Sequence, residues 1–119
     1  MRITGIDHVQ LAMPRGGEDE ARAFYGQMLG IHEVPKPPHL ATRGGCWFED
    51  RDLKIHLGVE ENFRAALKAH PALLVEDLGS LIIKLTAAGI AVEAEELAES
   101  SRVYTYDPFG NRLELMEPR

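Results

Sequence analysis

The sequence predicts an α+β fold built from two copies of one β-α-β-β-β module. The first observation is self-similarity. IDHVQLAMP, a helical stretch ending FYGQMLGI and strand-like runs ending KIHLGVE are followed by AHPALLVED, a helical stretch ending LTAAGI and runs ending NRLELME. The second is periodicity, since each half holds one helix-spaced segment among short alternating runs. The third is chemical. His8 opens the first copy and His70 the second, while His56 and Glu114 sit near the two ends. The 119 residues then form one domain, with module 1 over about 1–60, a linker over about 61–69 and module 2 over about 70–119. A module of about 60 residues is marginal alone, because its surface is large for its volume. Two modules or two chains together make the better core.

Ile3 to Met13 alternates as a strand, with Ile6, His8, Gln10 and Ala12 on one face. Pro14 and Gly16-Gly17 end it. Glu18 to Leu29 has helical spacing at Ala21, Phe24, Tyr25, Met28 and Leu29. Its acidic start suits the positive end of a helix dipole, and Gly30 is a natural stop. Prolines at 35, 37 and 38 exclude a central strand, so a short strand at Ile31 to Val34 leads into an extended loop. Gly44-Gly45 marks a bulge or strand entry. Cys46, Trp47 and Phe48 form a strand, Glu49 to Asp52 a polar turn, and Leu53 to Val59 the hairpin partner. Glu60 to Ala69 links the modules, with room for one helical turn.

The second copy opens with the strand His70 to Val75. Leu78, Leu81, Ile82, Leu85 and Ala88 mark a helix between the N-cap Asp77 and the C-cap Gly89. Ile90 to Ala94 is a strand and Glu95 to Ser100 an acidic loop. Val103 to Tyr106 and Arg112 to Met116 pair across Asp107-Pro108-Phe109-Gly110-Asn111.

Composition narrows the function classes. A net charge of −6 argues against a nucleic-acid groove, which needs clustered Lys and Arg, and disfavours an anionic membrane surface. Cys46 is the only cysteine, so no internal disulfide forms, and a buried inert thiol is the expected role. No secretory leader pattern or bilayer-length apolar run is present, which makes a soluble cytoplasmic protein the expectation. Nucleophile-elbow, Walker and dinucleotide glycine motifs are all absent.

Three histidines and one glutamate at repeat-equivalent places are a plausible donor set for Zn, Ni, Fe, Mn or Co. Polar neighbours on the same face (Lys54 and Gly58 beside His56, Arg112 beside Glu114) are unlike an apolar core. Each residue also has a plain structural reading. His70 could cap a strand before Pro71, and Glu114 could pair with Arg112 or Arg102 across a hairpin. Four at equivalent positions together favour a metal. His32 and His39 fall in the Pro-rich segment and are expected at the surface. Trp47 and Phe48 point to opposite faces, so at most one can wall a ligand site.

IDHVQLAMP, FYGQMLGI, HPALLVEDL and DPFGNRLELME closely resemble the vicinal-oxygen-chelate superfamily, the glyoxalase, bleomycin-resistance and extradiol-dioxygenase group. The resemblance covers essentially the whole chain. It implies paired β-α-β-β-β modules whose curved mixed sheets form a cleft, usually completed by dimerisation, hence a homodimer. It implies metal ligands at His8, His56, His70 and Glu114, with Glu114 able to move a proton. In bacterial-type glyoxalase I the position matching His56 is a glutamate, so Glu114 is the only matched carboxylate here. His8, His70 and Glu114 also match the triad of extradiol dioxygenases and fosfomycin-resistance enzymes. The implied function is a small metal-dependent glyoxalase-like enzyme, of lyase or isomerase type, chelating vicinal oxygens of a small-molecule substrate. A non-catalytic drug-binding protein of bleomycin-resistance type, a small dioxygenase, and a structural or regulatory dimer with remnant histidines are the alternatives.

Overall fold

The structure, a computed structural model, describes residues 1–94 and 101–118. The chain divides into two compact units, Met1–Phe63 and Arg64–Arg119. Each holds one four-stranded mixed sheet backed by a helix.

In the first unit the sheet order is β1-β4-β3-β2, from β1 (Val9–Met13), β2 (Glu33–Val34), β3 (Cys46–Asp50) and β4 (Leu53–Val59). The first strand lies parallel to the last, Gln10 opposite His56 and Ala12 opposite Gly58. β3 and β4 form a hairpin with Trp47 opposite His56. Alternation then commits one face to the core. Met13, Cys46, Phe48, Ile55 and Leu57 are buried there, as are Ala21, Phe24 and Tyr25 of the helix. Tyr25 packs edge-on to Phe24 and tilted against Phe48, with centroids 5.0 and 5.5 Å apart.

The predicted helix is present, but only α1 (Glu18–Ala21) is α-helical. It continues over Arg22–Met28 as a π-helix, in which the Leu29 amide donates to the Phe24 carbonyl. The predicted strand Ile3 to Met13 is shorter than expected. β4 begins at Leu53 and its pairing starts at Val9 with Ile55, so the residues before His8 have no strand beside them. Ile3 and Ile6 are exposed. The Pro-rich segment contains a helical turn that its prolines concealed, α2 (Pro38–Ala41), with Pro38 at the first helical position. The hairpin turn is tighter than expected, only Arg51 and Asp52, with Arg51 at φ 57°. Gly45 has φ 87°, and a Cβ there would collide with the Leu57 carbonyl. It is the strand entry that the Gly44-Gly45 pair suggested.

Residues 60–69 form turns and irregular chain without the helical turn. Asn62, at φ 54°, is incompatible with one.

The second unit repeats the pattern in the order β5-β8-β7-β6, from β5 (Ala72–Leu74), β6 (Val92–Ala94), β7 (Arg102–Tyr106) and β8 (Arg112–Met116). β5 runs parallel to β8 with Ala72 opposite Glu114, and Tyr104 of β7 faces Glu114 from the other side. Leu78 and Leu85 of α3 (Leu78–Ala87) are buried, as are Val103, Thr105, Leu113 and Leu115. The β7–β8 turn is held by Asp107. Its Oδ1 accepts from the Phe109 and Asn111 amides at 2.9 and 2.8 Å, and its Oδ2 from Asn111 Nδ2 at 2.8 Å. The motif's acidic residue is therefore structural. The predicted acidic loop Glu95 to Ser100 lies outside the described residues.

Asp77 caps α3 as predicted, its Oδ1 accepting from the Ser80 amide at 3.0 Å and its Oδ2 from the Ser80 hydroxyl at 2.7 Å. Asp77→Ala should destabilise the protein by about 1 kcal/mol, read from the shift in urea midpoint at unchanged slope. An unchanged midpoint would show that α3 does not depend on this cap.

Candidate functional site

Each sheet turns one face to its helix and carries polar and aromatic groups on the other. In the first unit β4 lies between β1 and β3, so His56 meets partners on both sides. Trp47 stacks on it with centroids 4.0 Å apart and planes 4° apart. His8, just ahead of β1, stacks on it at 4.4 Å and 22°. The His56 ring is 5% exposed, so both of its faces are used by aromatic neighbours. Glu49, two pairs along the hairpin, sets its orientation through Nε2 to Oε2 at 2.8 Å. His8 is set in the same way, its Nδ1 3.0 Å from Asp7 Oδ2. The His8 hydrogen bond, and then Lys54 3.5 Å away, hold the Asp7 carboxyl below its ordinary value.

In the second unit His70 and Glu114 meet directly, His70 Nε2 3.0 Å from Glu114 Oε1. His70 Nδ1 lies 2.8 Å from the Lys68 carbonyl oxygen. Glu114 is buried, and its other oxygen accepts from Arg102 at 3.0 Å. Burial pushes the Glu114 carboxyl up, but hydrogen bonds from Arg102 and His70, with their charges, outweigh it and hold it below the carboxylate range. Tyr104 sits edge-on to His70 at 5.4 Å, and the Arg112 guanidinium lies 4.0 Å from the Tyr104 ring centre. Of the two arginines the sequence offered as partners for Glu114, Arg102 takes the role.

These contacts test whether a metal fits. Each of the three histidines has one ring nitrogen facing an oxygen acceptor: Asp7 for His8, Glu49 for His56, the Lys68 carbonyl for His70. A neutral imidazole that donates its one proton there keeps a lone pair on the other nitrogen. That is the outer-shell arrangement of metal-bound histidine. His70 differs in that its second nitrogen also meets an acceptor, Glu114 Oε1 at 3.0 Å, so a neutral ring can donate to only one of its two oxygen neighbours. Imidazole and carboxylate are donor types that a borderline divalent ion takes. The four predicted ligands fall into two pairs, His8 with His56 and His70 with Glu114. Among the described residues no three His, Cys, Asp or Glu side chains gather into a metal-sized group.

Beside the His56 stack, the first unit holds a cavity of about 230 Å³. Trp47, Leu40 and Val59 supply its apolar wall, Gln10, Gly44 and Gly58 its floor, and Lys36 and Arg43 its charge.

A family model for the Glyoxalase/Bleomycin resistance protein/Dioxygenase superfamily matches residues 5–115. The chain belongs to that superfamily. A glyoxalase family protein from Bacillus anthracis is 49% identical, with 100% of each chain covered and a TM-score of 0.93. The fosfomycin resistance protein FosX from Listeria monocytogenes (15% identity, 99% of this chain and 96% of that one, TM-score 0.78) shares the fold. So does the lactoylglutathione lyase from Agrobacterium tumefaciens (22%, 98% and 96%, TM-score 0.74). No curated protein sequence matches. Members of the glyoxalase superfamily commonly use divalent metals. Among the described residues no helix is long and apolar enough to cross a membrane.

Several site residues of this glyoxalase-superfamily chain were not singled out from sequence. Glu49 was assigned to a turn, although it shares strand parity with Trp47. Asp7 precedes a candidate ligand directly, which was the available signal. Lys36 and Arg43 had none, since only the folded loop brings them together. Phe48 is in the core and Trp47 on the opposite face, as their alternation requires. His32 and His39 are exposed.

Cys46 is 1% exposed, and burial raises its thiol pKa to about 11. Against an ordinary thiol of pKa 9.0, the thiolate fraction at pH 8 falls about a hundredfold. Folded protein should therefore react with a disulfide reagent at least that much more slowly than urea-unfolded protein. Equal rates would return Cys46 to the list of possible nucleophiles.

Proposed function

We propose that this chain is a small metal-dependent, glyoxalase-like enzyme of lyase or isomerase type, with ligands drawn from His8, His56, His70 and Glu114. The observation that carries the reading is that each histidine has one ring nitrogen facing an oxygen acceptor, alongside a Glu114 carboxyl held below the ordinary carboxylate range. When bound, the ion would supply Lewis-acid polarisation of vicinal substrate oxygens, worth several kcal/mol of transition-state stabilisation. The chain's own residues do the rest. Glu114 accepts the substrate proton at Oε1 while Arg102 holds Oε2. Asp7 and Glu49 orient His8 and His56, and Tyr104 fixes the edge of His70.

Two donors per unit are too few for a tightly held ion, which takes three or four protein ligands. We therefore also propose a homodimer. Unpaired residues before β1, with Ile3 and Ile6 exposed, and Leu74 exposed on β5 support it. A second reading, a ligand-binding protein without turnover, is favoured by the cavity beside Trp47 and needs no metal.

Metal analysis separates the two. Untagged protein loaded with each divalent ion should retain about one per chain, and His8→Ala or Glu114→Ala should lose most of it with the fold intact. Wild-type metal content in both variants would rule out this ligand set. With a substrate found by screening thiohemiacetals, epoxides, catechols and acyl-CoA thioesters, Glu114→Gln should retain some metal but turn over roughly a hundredfold more slowly or worse. Full turnover would remove Glu114 as the base.

Sedimentation equilibrium should give twice the chain mass at micromolar concentration. A monomer that still holds metal would defeat the dimer and leave the metal reading standing.

A further inference from the structure

The cavity beside the His56 stack carries two cations on a chain with an acidic excess. Its geometry comes from the loop between β2 and β3. Pro35 and Pro37 keep the start of that loop extended, α2 starts at Pro38 and turns it back, and the Arg43 amide donates to the Leu40 carbonyl at 3.1 Å. Lys36 Nζ closes the loop by donating to the Gly44 carbonyl. Lys36 and Arg43 thereby reach one cavity from opposite ends of the loop.

Neither cation is neutralised by a carboxylate of the cavity. Lys36 bonds a carbonyl, and among the described residues Arg43 makes no hydrogen bond or ion pair through its side chain. The Glu18 carboxylate interacts electrostatically with Lys36 without bonding it. It is held behind the loop, with Oε2 accepting from the Gly45 amide at 2.9 Å, and is not among the lining residues. The floor is shaped around Gln10. A Cβ on Gly58 would lie 2.7 Å from Gln10 Nε2, so the bare glycine lets the Gln10 amide lie across β4. Trp47 shows one part of its ring to this cavity and stacks the other on His56.

We propose that this cavity binds the anionic group of a small organic substrate, a carboxylate or a phosphate. Lys36 and Arg43 take the charge, Gln10 donates a further hydrogen bond, and the apolar body lies on Trp47, Leu40 and Val59. At about 230 Å³ the space is below the roughly 300–1,000 Å³ of sites for drug-sized ligands. It suits a head group or a short chain. A ligand anchored there contacts Trp47, and through it abuts the ring stack that holds His8. The proposal rests on this sheet face being the substrate site of the enzyme proposed above, and it names the class of substrate.

Trp47 is the only tryptophan, so its fluorescence reports on the cavity. Pentanoate and butyl phosphate, which do not absorb where tryptophan does, serve as carboxylate and phosphate probes, with pentanamide as the uncharged match. The titrations are run on metal-free and metal-loaded protein. At least one anion should change Trp47 emission saturably in both forms, and which of the two binds tighter identifies the group. Pentanamide should bind roughly tenfold more weakly or not at all, as should either anion to Arg43→Gln. Arg43 is exposed and holds nothing in place, so this variant tests the site without risk to the fold. Lys36→Gln should act in the same direction, and the double variant should abolish binding while keeping wild-type metal content. Pentanamide binding as tightly as the anions, or full affinity in Arg43→Gln, would overturn the proposal. So would anion binding that needs metal and disappears in His8→Ala, since the anion would then sit on the ion. Anion binding by a protein that holds no metal would instead leave this site standing and remove the enzyme reading.

Discussion

The site depends on one constraint, the parallel register of the first strand of each module on its last. The pairing of Gln10 with His56 puts His8 within stacking distance of His56 and lays Gln10 over Gly58. The pairing of Ala72 with Glu114, with the Glu114 amide donating to the Pro71 carbonyl, brings His70 to Glu114. A strand has period two, so a slip of one residue would exchange the faces. Phe48, Ile55 and Leu57 would then meet solvent, and His56 would be pressed against Tyr25. The hydrophobic side of each sheet thus enforces the position of the polar side. The site is precise because an error in it would cost the core.

Local devices sharpen that register. Gly45 accepts a backbone approach to Leu57 that any side chain would block, and Gly58 leaves room for Gln10. The His56 ring is fixed on three sides, by Trp47, His8 and Glu49. A buried imidazole carries two polar nitrogens and costs free energy unless they are satisfied. Here one is met by Glu49, and the stacking covers the rest of the ring without consuming the other nitrogen. A residue immobilised in this way while keeping a lone pair is pre-organised to bind, since little side-chain freedom is left to lose.

Much of this was legible before any coordinates. Alternation placed His8, Gln10 and Ala12 on one face, and the duplicated pattern located both helices, both hairpins and the four polar positions. Caps at Asp77 and Gly89 follow from side-chain and backbone chemistry local to those residues. What escaped depends on partners distant in sequence. β1 pairs only from Val9, opposite Ile55, although β4 runs on to Leu53, and no property of residues 3–8 announces that. The turn at Pro38–Ala41 was masked because proline reads as a strand breaker before it reads as a helix start. Lys36 and Arg43 share a cavity only after Lys36 has bonded Gly44. Glu49 looked like part of a polar turn because the turn itself needs only two residues. Arg102 was visible as one of two possible partners for Glu114, and packing decided between them when Arg112 settled on Tyr104.

The two modules have diverged in a way that bears on chemistry. At the equivalent place on the last strand one carries His56 and the other Glu114, and each faces an aromatic residue across the hairpin, Trp47 or Tyr104. Their supporting partners have opposite charge. Glu49 behind His56 fixes the orientation of the imidazole through the contact with Nε2. Arg102 behind Glu114 lowers the basicity of the carboxylate and keeps it ionised. The first module therefore sets a carboxylate behind its last-strand residue, and the second a guanidinium that keeps its own carboxylate ionised. For Glu114 to act as a base its pairing must weaken as substrate arrives. Of its two partners only His70 contacts Oε1, the oxygen not claimed by Arg102. A change at the His70 contact raises the proton affinity of Oε1 while Arg102 keeps the carboxylate in place. In the enzyme proposed above, proton transfer would then be switched on at one oxygen without releasing the side chain from the sheet.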